Sequence, residues 1–262
     1  MWDKVKRAEY MKKWQEENKE ELQLYRKEHK EEKKEYNREY YREHGKEMKE
    51  WNKEYRDKLR LQVLSHYSPE LKCQCCGESH VEFLTIDHIN NDGAEHKREI
   101  GGDPYLMNWL IKNNYPEGFQ VLCYNCNLCK GFYEECYHKN PEIRGKDKYN
   151  INYRYKVLSH YSPDLKCACC GNDVYAFLSL DHAHGNGNKH RNEVGRSGLN
   201  RWIINNCYPE GFRVLCNNCN CSLGNYSYCP HHPEVKQKVN DEFVYERKEE
   251  GKYYEMDESV FA

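Results

Sequence analysis

The sequence has no long apolar run. Hydrophobic residues fill only 38% of its 262 positions, and mean hydropathy is −1.14. A bilayer-spanning helix needs roughly 18 consecutive apolar residues, so no such helix is expected. The opening Met1-Trp2-Asp3-Lys4-Val5-Lys6 lacks the apolar core of a secretory signal. Net charge is scarce as well: 41 Lys+Arg against 43 Asp+Glu leave −2. Taken alone, that argues mildly against nucleic acid as a partner. Residues 1–60 contain no proline and a single glycine, Gly45, which excludes a loop-rich segment. A chain this polar lacks the material for one large core. Small units held by extra cross-links are expected instead.

Cysteine is what the chain has in quantity, with 15 residues. In a reducing, cytoplasmic compartment, cysteines read as metal ligands or catalysts before disulfides. An odd count also fits poorly with complete intramolecular pairing.

The near-zero charge hides three regions: net +3 over residues 1–60, −2 over 61–234 and −3 over 235–262. The first is rich in helix formers and carries (i, i+4) aromatic pairs at Tyr10/Trp14, Tyr36/Tyr40 and Trp51/Tyr55. It predicts a long exposed helix, or two broken near Gly45. As a solvated extension it needs no partner; as an arm it would meet phosphates with Lys/Arg and stack with Tyr/Trp.

The middle is a duplication. Val63-Leu64-Ser65-His66-Tyr67-Ser68-Pro69 recurs as Val157 to Pro163. Leu71-Lys72-Cys73 through Gly77 recurs as Leu165 to Gly171, and Asp87-His88 as Asp181-His182. Tyr115-Pro116-Glu117-Gly118-Phe119 recurs as Tyr208 to Phe212, and Cys123 to Asn127 as Cys216 to Asn220. The domain organisation is therefore a helical extension (1–60), module 1 (61–140), a polar linker (141–156), module 2 (157–234) and an acidic, mostly irregular tail (235–262). Within module 1 the expected succession is a helix ending near His66, a Cys73–Gly77 knuckle and a strand over Phe83–Ile86 ending at Asp87-His88. A polar loop, a helix over Pro104–Asn113, a strand over Gln120–Leu122 and a short helix from about Cys126 follow.

Two CxxC pairs per module place four thiolates together: Cys73, Cys76, Cys123 and Cys126, then Cys167, Cys170, Cys216 and Cys219. Four soft donors suit tetrahedral zinc. One structural zinc per module would supply the folding free energy that the polar chain otherwise lacks. Cys75, Cys136 and His138, with Cys169, Cys229 and His231, are duplicated too. They read as capping or packing residues, with a second metal site as the alternative. Cys129 and Cys221 are out of register between modules.

Asp87-His88 closes a strand, and Asn127 follows the second knuckle. Carboxylate and amide oxygens suit Mg²⁺ or Mn²⁺, and a neighbouring histidine can take a proton from water. The whole constellation, strand–Asp-His then CxxC then Asn, is duplicated.

These residues resemble the HNH endonucleases of the ββα-metal (His-Me finger) fold, near the phage recombination endonuclease VII-like branch. The resembling segments are Leu84 to Asn90, Tyr115 to Cys123, Asn125-Cys126-Asn127, Lys130-Gly131 and Cys136-Tyr137-His138, with Asp181-His182-Ala183-His184 in module 2. The resemblance implies an α+β fold of two tandem zinc-stapled modules and a DNA endonuclease of phage-like type, acting in the cytoplasm of a bacterial or phage-infected cell. It implies His88 and His182 as general bases, with His184 sharing or assuming that role. It implies Asp87 with Asn127, and Asp181 with Asn220, as Mg²⁺ or Mn²⁺ ligands. His96 and His190, at the end of the polar loop, would touch phosphate or metal, or be solvated. Gly118 and Gly211 lie near the place of the family's middle asparagine. The implied partner is duplex or branched DNA, with RNA as an alternative. The two modules would act as a pseudo-dimer within one chain, or the chain would dimerise through its first helix. The rival readings are a non-catalytic zinc module that binds nucleic acid and a structural adaptor built on the long helix.

Overall fold

The computed structural model describes residues 4–142, 148–195 and 198–236. The fold is α+β and separates into two units, residues 1–62 and 63–262.

The first unit is helical: α1 (Lys4–Glu17), α2 (Lys19–Glu28) and most of α3 (Lys30–Tyr67). The expected break at Gly45 does not occur. A lone glycine costs a helix only about 1 kcal/mol, and the surrounding Glu and Lys residues are strong helix formers. The interruptions fall at Asn18 and His29, where a side chain competes for an i−4 carbonyl. Asn18 Nδ2 donates to Trp14 O (2.7 Å), and His29 Nδ1 lies 3.0 Å from Tyr25 O. Of the expected aromatic pairs, Tyr36/Tyr40 and Trp51/Tyr55 stack with ring centroids 6.3 and 5.6 Å apart, on exposed surface.

In the second unit the two repeats fold through the same succession. Module 1 comprises β1 (Leu84–His88), α4 (Gly93–Ile100), α5 (Leu106–Lys112), β2 (Phe119–Cys123) and α6 (Tyr124–Tyr133). After α7 (Lys148–Tyr161), module 2 repeats it as β3 (Leu178–His182), α8 (Gly187–Val194), α9 (Leu199–Asn205), β4 (Phe212–Cys216) and α10 (Asn217–Tyr226). A hairpin of β5 (Tyr228–Cys229) and β6 (His232–Lys236) follows. Each module has a two-stranded antiparallel sheet whose register pairs Asp87 with Gln120 and His88 with Phe119, and Asp181 with Arg213 and His182 with Phe212.

Several expectations are corrected. The polar loop after Asp87-His88 is helical (α4). Phe83 belongs to a 3₁₀ turn, Val81–Phe83, that precedes β1. The Pro104 helix opens as a 3₁₀ turn, Asp103–Tyr105, before α5. The linker over 141–156 is largely taken up by α7. β6 begins in module 2 and takes in the first two residues of the tail, Val235 and Lys236, and residues 237–262 lie outside the described residues.

The Tyr-Pro-Glu-Gly-Phe repeat has a packing role. His66 stacks on Tyr115 at 4.0 Å and Tyr67 Oη donates to Pro116 O (2.8 Å). His160 stacks on Tyr208 at 4.1 Å and Tyr161 Oη donates to Pro209 O (2.6 Å). Each lock fastens the end of a long helix to the turn entering β2 or β4. Val63, Leu64, Phe83, Leu84 and Val121 of module 1 share one buried cluster with Leu158, Phe177, Leu178 and Leu215 of module 2. The modules thus share one core, and module 2 adds a smaller one of its own from Val157, Leu199, Ile203 and Phe212.

The seam between them is reciprocal. The Asn125 backbone N–H donates to Asn218 Oδ1 (2.8 Å), and the Asn218 N–H donates to Asn125 Oδ1 (3.0 Å). Each helix thus satisfies one of its orphan N-terminal amides with a side chain of the other module. Arg154 of α7 adds a tie, donating to Tyr133 Oη (2.9 Å) and to the carbonyls of Tyr175 and Leu178.

Candidate metal centres and Asp–His strand ends

The first CxxC of each module is a tight turn. Gly77 N donates to Cys73 O (2.9 Å) at φ +78°, and Gly171 N to Cys167 O (2.9 Å) at φ +74°. That left-handed backbone suits glycine. The turn is pinned to the second strand by Gln74 N→Val121 O and Ala168 N→Val214 O, both 2.9 Å. That strand ends in Cys123 or Cys216 at the N-cap of α6 or α10, and the next helical turn supplies Cys126 or Cys219. Strand, knuckle and helix start therefore converge four sulfurs on one point.

Two Cys₄ groups have all ligand atoms within 4.8 Å: Cys73, Cys76, Cys123 and Cys126, and Cys167, Cys170, Cys216 and Cys219. Cys76 and Cys123 sulfurs lie 3.8 Å apart, and Cys170 and Cys216 sulfurs 3.7 Å. Sulfurs at the usual zinc distance span a tetrahedral edge of about 3.8 Å. All 15 cysteines are free of disulfides. Thiol donation from Cys123, Cys126 and Cys76 pushes the Cys73 thiol far down, and Cys170, Cys216 and Cys219 do the same to Cys167.

Two Cys₃His groups lie alongside: Cys75, Cys126, Cys136 and His138, and Cys169, Cys219, Cys229 and His231. The capping-or-packing reading of these residues is too weak, because all four donor atoms in each group converge. Cys129 is outside both groups. It donates to Glu135 O (3.7 Å) and accepts from Tyr137 N (3.3 Å), and its counterpart Ser222 donates to Tyr228 O (2.8 Å). Both side chains shape the loop that delivers the Cys-x-His pair.

The Asp–His strand ends form a second constellation. Asp87 and His88 are buried at the end of β1. Asp87 Oδ2 accepts from Lys130 Nζ (2.8 Å) and Gln120 Nε2 (2.7 Å), and Lys130 also donates to His88 O (2.7 Å). Asn127 sits one turn before Lys130 on α6, so both share the helix face toward the strand. In module 2, Asp181 Oδ2 accepts from Arg213 Nε (2.8 Å), and Asn220 Nδ2 donates to Ser179 Oγ (2.9 Å). Burial pushes the Asp181 carboxyl up, and Arg213 offsets part of that.

The structure joins His96 and His190 to the strand-end histidines. His88 Nε2 lies 2.8 Å from His96 Nδ1, and His182 Nε2 lies 2.9 Å from His190 Nδ1. Trp109 and Trp202 stand edge-on to His96 and His190, each at 4.2 Å. Gly93 and Gly187 open α4 and α8 against the rings. A Cβ at either would fall 2.9 or 2.8 Å from Nδ1 of His88 or His182, so glycine is required by close approach. Burial pushes His88 down, helped by His96 and opposed by Asp92; His182 falls to about 4 through burial, His190 and Arg191. His184 lies exposed on the turn after β3, and His190 is the ring seen bonded to His182.

Sequence reasoning missed the two tryptophans, the two glycines, the reciprocal asparagines and the cation on each aspartate. Their duplication was the available signal for all but the last. A cavity of about 350 Å³ beside His88 and His96 is lined by Asp92, Glu95, Glu99 and Glu117. Its counterpart of about 550 Å³ beside His190 carries Glu193 and Arg201. Among the described residues, no helix is long and apolar enough to cross a membrane. No protein-family model, no curated protein and no solved structure matches this chain.

Proposed function

We propose that this protein is a zinc-stapled, metal-dependent endonuclease that hydrolyses DNA phosphodiesters, of the HNH type that the sequence resembles. The observation that carries the reading is the duplicated packing of an Asp–His strand end against the helix that starts at the second cysteine pair. The Cys₄ groups would hold structural zinc. Asp87 with Asn127, and Asp181 with Asn220, would hold Mg²⁺ or Mn²⁺. The donors fit such an ion: one carboxylate and one amide oxygen leave room for the waters and phosphate oxygens that Mg²⁺ keeps. In module 2, Asn220 spends its NH₂ on Ser179, which leaves Oδ1 as its acceptor. A divalent ion supplies charge stabilisation on the phosphate and leaving oxygen.

The chain itself supplies the base. Burial favours the neutral form of His88 and His182, so each pair with His96 or His190 can accept a proton from water. Each N···N hydrogen bond orients the rings and shares that proton within the pair. The reciprocal Asn125/Asn218 caps favour a pseudo-dimer within one chain, with one site per strand of a duplex or branched DNA. The exposed aromatic and basic residues of α3 would serve as the arm.

One observation favours a second reading. Each aspartate already holds a cation, Lys130 or Arg213, as a structural rather than ion-binding carboxylate would. In that case the protein is a zinc-stapled nucleic-acid-binding module with a decayed site. Plasmid cleavage with Mg²⁺ or Mn²⁺ separates the two. Nicking that stops with EDTA and in the His88→Ala/His182→Ala double variant supports the nuclease. Cleavage that survives the double substitution refutes these bases, and DNA binding without cleavage supports the second reading. RNA as the preferred substrate would replace DNA.

A further inference from the structure

We propose that each module holds two metal ions joined by one shared thiolate, that of Cys126 in module 1 and Cys219 in module 2. Two tetrahedra that share a corner need seven donors. The Cys₄ and Cys₃His groups of each module together present seven, because Cys126 or Cys219 belongs to both. The shared cysteines are fully buried in both modules, where a bridging sulfur exposed to no competing water is expected.

The distances argue for an ion rather than a hydrogen-bonded cap. His138 Nδ1 lies 3.4 Å from Cys126 Sγ, 3.4 Å from Cys136 Sγ and 4.0 Å from Cys75 Sγ. His231 Nδ1 lies 3.3 Å from Cys219 Sγ and 3.4 Å from Cys229 Sγ. One ring nitrogen has one lone pair or one hydrogen and can serve one partner. Near-equal spacing to several sulfurs is what a central ion produces. A nitrogen and a sulfur on one tetrahedral zinc are separated by about 3.5 Å. The arrangement appears twice, from sequence-separated repeats with different loop residues, Tyr137 and Pro230.

The second ion sits where it joins the modules. The His138 ring packs on buried Phe177 at 5.2 Å, and the His231 ring on buried Phe83 at 5.1 Å. Each Cys-x-His loop is thereby fixed to its own cysteine cluster on one side and to the opposite module on the other. Thiolate-rich donors select a borderline-soft divalent ion, with zinc foremost. This inference rests on the Cys₄ groups holding zinc and not on the nuclease reading.

Metal content of the full chain, purified without chelator, tests it. Four zinc ions per chain are expected, two per module. Two per chain overturns the shared clusters while leaving the Cys₄ sites standing, and none overturns both. His138→Ala with His231→Ala should halve the zinc content. His138→Cys with His231→Cys should restore it by converting each second site to four sulfurs. An undiminished content in the alanine variant overturns the proposal. Should the alanine variant fail to fold, the cysteine variant and the wild-type stoichiometry still decide it.

Discussion

The two modules put a cation on the same aspartate from different elements. In module 1 the cross-strand neighbour of Asp87 is Gln120, and the charge comes from Lys130 on α6. In module 2 the cross-strand neighbour of Asp181 is Arg213, and Leu223 stands where Lys130 would be. The surroundings of the histidine pairs differ as well. Asp92 and Glu95 border the His88–His96 pair, while their counterparts in module 2 are Asn186 and Lys189. The aspartate's neutralisation is the retained property, and the residue that provides it is free to move. The charge around the histidine pair is not retained. Module 1 surrounds its histidines with carboxylates, and on the nuclease reading proposed above it would depend more on a divalent ion to admit an anion. Module 2 is nearer neutral, so on that reading it would be the better suited of the two to bind phosphate.

The largest test of this comparison removes the cation. Lys130→Leu leaves Asp87, which is 9% exposed in its side chain, with the neutral Gln120 donor in place of its cation; breaking a buried pair in this way costs about 3–5 kcal/mol. Arg213→Gln should cost less, because Arg213 is 33% exposed and burial already pushes the Asp181 carboxyl toward its neutral form. Adding Gln120→Arg to Lys130→Leu, which copies module 2, should recover most of the loss. Denaturant unfolding of the metal-loaded chain reads all three, and equal losses in the two modules would break the comparison.

The reciprocal caps should be equal where the aspartates are not. Asn125→Ala and Asn218→Ala each remove one helix cap and should each cost about 1 kcal/mol. The same measurement checks them. A difference well above that between the two would show that the seam is not symmetric.

The smallest difference vanishes at neutral pH. His182 is held down to about 4 in the fold, against an ordinary value near 6.5. The unfolded chain then binds the proton first, so this contribution is intact above about pH 6.5 and is lost as pH falls through about 4. Asp181 has the opposite sign, since its raised carboxyl takes up a proton in the fold before it does when unfolded. His88 shifts the same way as His182 but against Asp92 and Asp87. In an NMR titration His88 should therefore protonate at higher pH than His182, and Asn186→Asp should move His182 toward His88. Coincident curves would remove the electrostatic difference between the modules.

Much of this was legible in the sequence because duplication marks what matters twice. The CxxC spacing fixed the Cys₄ groups, and Asp87-His88 was placed at a strand end. The strand pairing follows from two short apolar runs. The polar segment 89–100 reads as a loop in the sequence because its one-sided packing leaves little apolar signal. Its helix is held by Gly93 lying on the His88 ring and by His96 reaching back to the same ring, contacts that depend on tertiary approach. The role of Arg213 was hidden for a related reason, because the sequence shows a loss at Leu223 but not that the neighbouring strand makes it good. Cys126 could not be seen as common to two donor groups, since spacing counts residues and not directions in space.

The Asn125–Asn218 exchange sets a timetable for synthesis. The partners are 93 residues apart. At ordinary elongation rates of roughly 5–20 residues per second, module 1 waits on the order of 5–20 s for its counterpart. Through that interval the α6 amide has no cap, the His138 ring has no Phe177 beneath it, and half of the common core faces solvent. A nascent chain in this condition is an open interface seeking a copy of itself. Among chains made side by side on one message, the first module of one can meet the first or second module of its neighbour before its own second module arrives. Slow translation between the repeats, or high expression, should therefore favour swapped oligomers over the self-paired chain.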